Sequence, residues 1–182
     1  MDRYFTQTVG TPVLTSNGFP VARISEIVIE PETGKVVGFL IGSKGQNVIA
    51  PSDIVLWNDN IFIHDPEDIL ETGEILKVTK VLSQNIPILR SKVYTKKGLY
   101  LGKVYDIGIN PKLFVLTKLA VAKNILGFFP YDEKIIAHKN ILEIKKDRIV
   151  VKDNDATVSI KEPENQEENL KIDIAPSTFK KL

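Results

Sequence analysis

Val13-Leu14-Thr15-Ser16-Asn17-Gly18, running on through Phe19-Pro20-Val21-Ala22-Arg23-Ile24-Ser25-Glu26-Ile27-Val28-Ile29-Glu30-Pro31, returns eighty positions later in altered form. The second version reads Val93-Tyr94-Thr95-Lys96-Lys97-Gly98, then Leu99-Tyr100-Leu101-Gly102-Lys103-Val104-Tyr105-Asp106-Ile107-Gly108-Ile109-Asn110-Pro111. Gly18 matches Gly98, Pro31 matches Pro111, and Val21, Ile24, Ile27 and Ile29 match Leu101, Val104, Ile107 and Ile109. The match resumes where Val48-Ile49-Ala50-Pro51-Ser52-Asp53-Ile54-Val55 meets Ile135-Ile136-Ala137-His138-Lys139-Asn140-Ile141-Leu142, now 87 positions apart. The chain is therefore two diverged copies of one unit, the second carrying seven additional residues. A repeat of this period makes each copy one structural unit.

Both copies read as β. Ile27 and Ile29, like Ile107 and Ile109, alternate with other residues at period two, as on a half-buried strand. Asn17-Gly18 and Lys97-Gly98 suit hairpin turns, because glycine adopts positive φ at little cost. Pro31-Glu32-Thr33-Gly34 is a second turn, before the buried strand Val36-Val37-Gly38-Phe39-Leu40-Ile41. Asn58-Asp59-Asn60 and Lys146-Asp147 mark a third turn, before Ile61-Phe62-Ile63 and Ile149-Val150-Val151. Short strands with closely spaced turns predict a small barrel or rolled sheet. Glu74 to Gln84 breaks the pattern: Ile75, Leu76, Val78, Val81 and Leu82 fall at helical spacing, predicting a short linking helix.

These residues resemble the PRC-barrel family. Its pattern runs from a strand through a glycine turn to a G-x-V-x-D step, a Pro/Gly turn and a buried strand, then an apolar-Pro-x-x-apolar segment. The second copy carries Gly98, Leu101-Gly102-Lys103-Val104-Tyr105-Asp106 and Pro111. The first carries Gly18, Val21-Ala22-Arg23-Ile24-Ser25-Glu26, Pro31, Gly34 and Val48-Ile49-Ala50-Pro51-Ser52-Asp53-Ile54. In the departures, Ala22 and Glu26 replace the glycine and aspartate, Phe114 stands opposite Gly34, and His138 replaces the proline. The resemblance spans residues 5–152. The family includes the cytoplasmic domain of the photosynthetic reaction-centre H subunit and the C-terminal domain of a ribosome maturation factor. It implies a mainly β protein of two tandem PRC-type barrels, used for docking onto other macromolecules without catalysis. The expected division is 1–72 for the first barrel, 73–152 for the second with a linker at 73–85, and 153–182 for an acidic, partly disordered tail.

Charge is distributed unevenly. The net charge of +1 combines −6 over residues 1–72, +10 over 73–152 and −3 over 153–182. The polarity fits two faces that solvate the barrels and help the copies dock. It also fits a polyanion site on the second copy, built from Lys92, Lys96, Lys97, Lys103, Lys112, Lys118 and Lys123, with Tyr94, Tyr100 and Tyr105 available for stacking. Arginine is scarce there, Arg90 and Arg148 only, and the tyrosines also suit half-buried strand positions.

The added residues fall within 122–136, where Ile125, Leu126, Phe128, Phe129 and Tyr131 make a connecting segment unusually apolar. They either fold back to plug a barrel end or the seam between the copies, or present an apolar tip to a partner or to an anionic bilayer. In the tail, Glu162 to Asn169 is polar and acidic, and Leu170 to Ile174 suits a short strand on a sheet edge.

No catalytic set emerges, so an enzyme is not expected. The chain has no cysteine and two histidines, His64 and His138, which excludes thiol chemistry and leaves no metal-ligand spacing. Glu26, Asp53 and Asp106 match structural steps of the repeat, and an aspartate beside a tight turn commonly caps backbone N–H groups. No phosphate-binding loop or dinucleotide fingerprint is present, and no cofactor is expected. The start of the chain lacks a secretory pattern, and no apolar run approaches the roughly 20 residues a membrane span needs. The expectation is a cytoplasmic adaptor docking onto a protein assembly, with RNA or the ribosome as alternative partner and an anionic membrane surface third. Self-association through the oppositely charged copies is a further expectation.

Overall fold

A computed structural model describes residues 1–42, 45–125 and 129–153. The chain begins with β1 (Arg3–Tyr4) and a single turn of helix, α1 (Phe5–Thr8). The first unit follows as β2 (Pro12–Thr15), β3 (Pro20–Ile29), β4 (Val36–Ile41), β5 (Asn47–Ile49), β6 (Ile54–Trp57), β7 (Ile61–Ile63) and β8 (Ile69–Glu71). After α2 (Leu76–Gln84) the second unit runs through β9 (Lys92–Thr95), β10 (Tyr100–Asn110), β11 (Val115–Ile125), β12 (Phe129–Ala137), β13 (Ile141–Ile144) and β14 (Arg148–Val151).

The two sheets have one topology. The first is ordered β6-β7-β2-β3-β4-β5-β8, and the second β13-β14-β9-β10-β11-β12. Each opens with an antiparallel hairpin and later lays a strand, β7 or β14, parallel to its first, with Val13 beside Ile61 and Val93 beside Ile149. The irregularities repeat too: pairing slips between Ile24 and Glu26 and between Val28 and Ile29, as between Val104 and Asp106 and between Gly108 and Ile109. Such bulges bend a strand and curl its sheet. The hairpin glycines behave as expected, with φ of 83° at Gly18 and 86° at Gly98. The two sheets form two barrel-like units.

The expected linking helix is present as α2, preceded by a short 3-10 turn at Thr72–Glu74 and stopped by Asn85 in the left-handed region. Its buried Val78 and Val81, with Ile75, cover Val28, Val37, Leu40 and Val48 on the outside of the first sheet. The remaining core is one continuous cluster containing Phe39, Ile49 and Ile61 of the first unit and Leu101, Leu119 and Ile136 of the second.

That continuity comes from a pseudo-two-fold seam. Lys35 pairs with Val115, its own counterpart in the repeat. On either side, Val36 N–H donates to the Phe114 carbonyl at 2.8 Å, and Leu116 N–H donates to the Gly34 carbonyl at 2.7 Å. Each contact is the other under exchange of the two copies, as in an isologous dimer interface. Two of the four departures from the family pattern lie here. Phe114 adopts φ of 51° where Gly34 has 69°, a conformation that costs a side-chain-bearing residue roughly 1–2 kcal/mol. Its ring stacks on Trp57 with centroids 6.0 Å apart and meets Phe39 edge-on at 6.1 Å, and aromatic pairs of this kind contribute about 0.5–1.5 kcal/mol each beyond burial. His138, in place of the proline, lies against the bare face of Gly34.

The N-terminal arm also crosses between units. β1 pairs with β10, Arg3 opposite Ile109 and Tyr4 opposite Gly108, while Arg3 reaches Asp59 of the first unit at 3.0 Å. The segment after α2 answers it: Ile86, Pro87, Ile88 and Leu89 line a groove with Ile27, Val28 and Ile29 of β3. The correspondence extends to the backbone, since Gly10 N–H donates to Ile24 O at 2.7 Å and Arg90 N–H to Val104 O at 2.8 Å.

A methyl group at Gly34 would sit 2.6 Å from His138 Nε2 at a φ of +69°. Gly34→Ala is expected to lower stability by about 1–3 kcal/mol, with part of that loss recovered when His138→Ala is added. Urea denaturation of the single and double variants measures the coupling. A loss of equal size with and without the imidazole would mean that the two do not meet.

Candidate functional site

Burial alternates along β2, β7 and β9, so every second side chain leaves the core and lies on an outer sheet face. On the first unit, strand register aligns Pro20, Leu14, Phe62 and Leu56 in a row across β3, β2, β7 and β6. Leu56 is 51% exposed, and Val55 beside it 50%. Phe19, at the hairpin end next to Pro20, is 68% exposed. The row is an apolar strip bordered by the exposed polar residues Ser16, Asn17 and Asn58.

The same row on the second unit is Tyr100, Tyr94, Val150 and Glu143. The two tyrosine rings stand 5.3 Å apart and tilted by 49°; Tyr100 is exposed and Tyr94 half-buried. One step along the strands, register aligns Lys103, Lys92 and Arg148, all exposed. Lys145 follows on the far side, its N–H bonded to the Arg148 carbonyl at 2.8 Å and its ammonium paired with Glu143 at 2.8 Å.

The seven lysines expected to form one polyanion site are thus divided. Lys92 and Lys103 lie in the row, and Lys96 and Lys97 at the hairpin end beyond Tyr94. Lys112 is exposed at the opposite end of β10. Lys118 is engaged by Asp2 at 3.1 Å and lies over the Tyr4 ring at 4.8 Å. Lys123 binds Asp132 at 3.1 Å. The Asp132 carboxyl is held below the usual carboxylate range by hydrogen bonds from Lys134 and Lys123. Arg148 belongs to the row, although it is 56 residues from Lys92; only the parallel pairing of β14 with β9 brings them together. Tyr105 lies on β10, donating to Glu133 at 3.4 Å.

The added residues lengthen a hairpin. β11 and β12 continue past the end of their first-unit counterparts, pairing Lys123 with Tyr131, Asn124 with Pro130 and Ile125 with Phe129. Outside residues 126–128, the apolar connecting segment expected there is thus paired strand. Leu126 and Phe128 lie outside the described residues, as do the side chains of Ile125, Phe129 and Tyr131. The acidic tail beyond Asp153 also lies outside them.

Of the three carboxylates of the repeat, Asp106 serves the backbone. Asp106, buried on β10, accepts from its neighbour Ile107 N at 2.8 Å, from Thr6 N at 3.2 Å and from the Thr6 hydroxyl at 2.5 Å. It fastens the N-terminal arm to the second sheet. Asp53 accepts from Ser52 at 3.1 Å, and Glu26 lines the groove beside α2. His64 is an exposed turn residue whose N–H donates to Asp68 at 3.0 Å. Among the described residues no three His, Asp or Glu converge as a metal site, and no helix is long and apolar enough to cross a membrane.

The strand order and its reciprocal seam place the chain among small rolled-sheet modules. Residues 1–70, the first unit, match the family model of the PRC-barrel domain. Among the described residues the second unit repeats its strand order from β6 to β5. A search among curated proteins finds no match to the chain.

Asp106→Ala would take this acceptor from the buried Ile107 N–H and release the exposed Thr6, at a cost of about 1–3 kcal/mol. Urea denaturation should register that loss, and the Thr6 amide should exchange faster with solvent. Unchanged exchange at Thr6 would show that other contacts hold the arm.

Proposed function

We propose that the protein is a non-enzymatic docking module that engages a protein assembly through the outer face of its first unit. The observation that carries this reading is the apolar strip of Phe19, Pro20, Leu14, Phe62 and Leu56, contiguous across four strands. Scattered apolar side chains are ordinary on a surface, but a contiguous patch rimmed by polar groups marks an interaction site. The repeat supplies an internal comparison. Tyr94, Tyr100 and Glu143 occupy the same row in the second unit, so the strip is not demanded by the fold. Residues 1–72 carry a net charge of −6, favouring a partner whose apolar ridge is bordered by basic groups. An intracellular setting accompanies this reading, in keeping with a chain that contains no cysteine.

Leu56→Asp places a charge at the β6 end of the strip. Because the side chain is half exposed, the substitution should change stability by no more than about 0.5 kcal/mol. Affinity capture from the native lysate, with wild type and variant in parallel, should recover a defined protein set with wild type and lose it with Leu56→Asp. Recovery of the same set by both proteins would remove the strip as the docking surface. If sedimentation instead shows a wild-type dimer that Leu56→Asp dissociates, the strip binds a second copy and the adaptor reading fails.

A further inference from the structure

On a separate surface, we propose that the outer face of the second unit, built around the registered row Lys103–Lys92–Arg148 and the adjoining Tyr94–Tyr100 pair, binds single-stranded RNA. Three cations stand side by side on β10, β9 and β14, spanning about 10 Å across two strand spacings. Like charges directly opposite on paired strands repel, so such a row opposes the sheet that carries it. The first unit avoids it: the corresponding residues are Arg23, Pro12 and Asn60, and Arg23 is turned onto the Gly10 carbonyl at 2.8 Å. The cation row is therefore a property of the second copy's surface and not of the fold. Arg148 already has a distant counter-charge in Asp147 at 3.9 Å; phosphate groups would relieve the remaining repulsion of Lys92 with the cation on either side.

The neighbouring row gives the ligand a second chemistry. Tyr100 and Tyr94 lie one step along the same strands on the same face, with Tyr100 37% exposed. A basic track beside exposed aromatic rings lets bases stack while the phosphates meet the cations, without reading base edges. Lys96 and Lys97 extend the positive field past the hairpin end. An acidic protein surface would use the cations and leave the tyrosine faces idle, so the pair favours nucleic acid. Binding of this kind has little sequence preference.

The test uses the full chain and a fluorescein-labelled oligouridine of twelve nucleotides, read by fluorescence anisotropy. Wild type should bind at low salt, with log K falling against log salt with a slope of about −2, as about 0.7 per neutralised phosphate gives for three single-strand contacts. Lys92→Glu/Arg148→Glu should weaken binding at least ten-fold, and Tyr100→Ala several-fold. Lys112→Glu, an exposed lysine at the far end of β10, is the control for general charge and should change affinity less than two-fold. Circular dichroism and the thermal midpoint establish that each variant is folded. Absence of wild-type binding at 50 mM salt overturns the proposal, as does an equal loss with Lys112→Glu. If a polyglutamate peptide binds as tightly as the RNA and Tyr100→Ala leaves both unchanged, the face serves an acidic protein surface and the RNA assignment is wrong.

Discussion

The structure depends on three consecutive residues meeting their own repeat counterparts. Gly34, Lys35 and Val36 face Phe114, Val115 and Leu116 through one bridge and two reciprocal hydrogen bonds. Neither sheet could place its open side toward water, because Phe39, Ile49 and Ile61 on one and Leu119, Val121 and Ile136 on the other are almost fully buried in a common cluster. A hydrogen bond of this kind contributes only about 1 kcal/mol net; the seam's larger effect is to fix the angle at which two apolar faces close on each other. The crossing arm extends the same logic, since β1 belongs by sequence to the first repeat and by pairing to the second sheet.

Divergence between the copies follows the seam. A symmetric interface would repeat glycine, but Phe114 takes the left-handed position and fills the space against Trp57 and Phe39. His138 occupies the room left by Gly34. Two residues that look like lapses from the family pattern are the side chains by which the copies recognise each other. Outside the core the copies diverge in the opposite sense, one face apolar and the other basic and aromatic. A fold shared by both units cannot explain that contrast, so it points to what each face contacts.

Much of the fold was legible in the sequence because the repeat could be aligned. Turn glycines, period-two strands and the helical spacing from Ile75 to Leu82 are local signals, and each element stands where it was expected. The assembly was less legible. Parallel pairing of β9 with β14 joins residues 56 positions apart and places Arg148 beside Lys92, a consequence of tertiary register that no local period encodes. The same holds for Lys118, whose charge is met by Asp2 from the far end of the chain. The stretch before Asp132 read as an apolar loop because its composition was weighed without its pairing; the lengthened β11–β12 hairpin gives most of that backbone partners.

The central claim is that the seam makes two repeats one cooperative body. Amide hydrogen exchange at Val36 and Leu116, followed residue by residue by NMR across a urea series, tests it most directly. Both amides should exchange only through global unfolding, with protection matching that of Phe39 and Leu119 in the centres of the two sheets. Fast exchange at Val36 and Leu116 while the sheet centres stay protected would contradict the account, as would separate unfolding transitions for the two sheets.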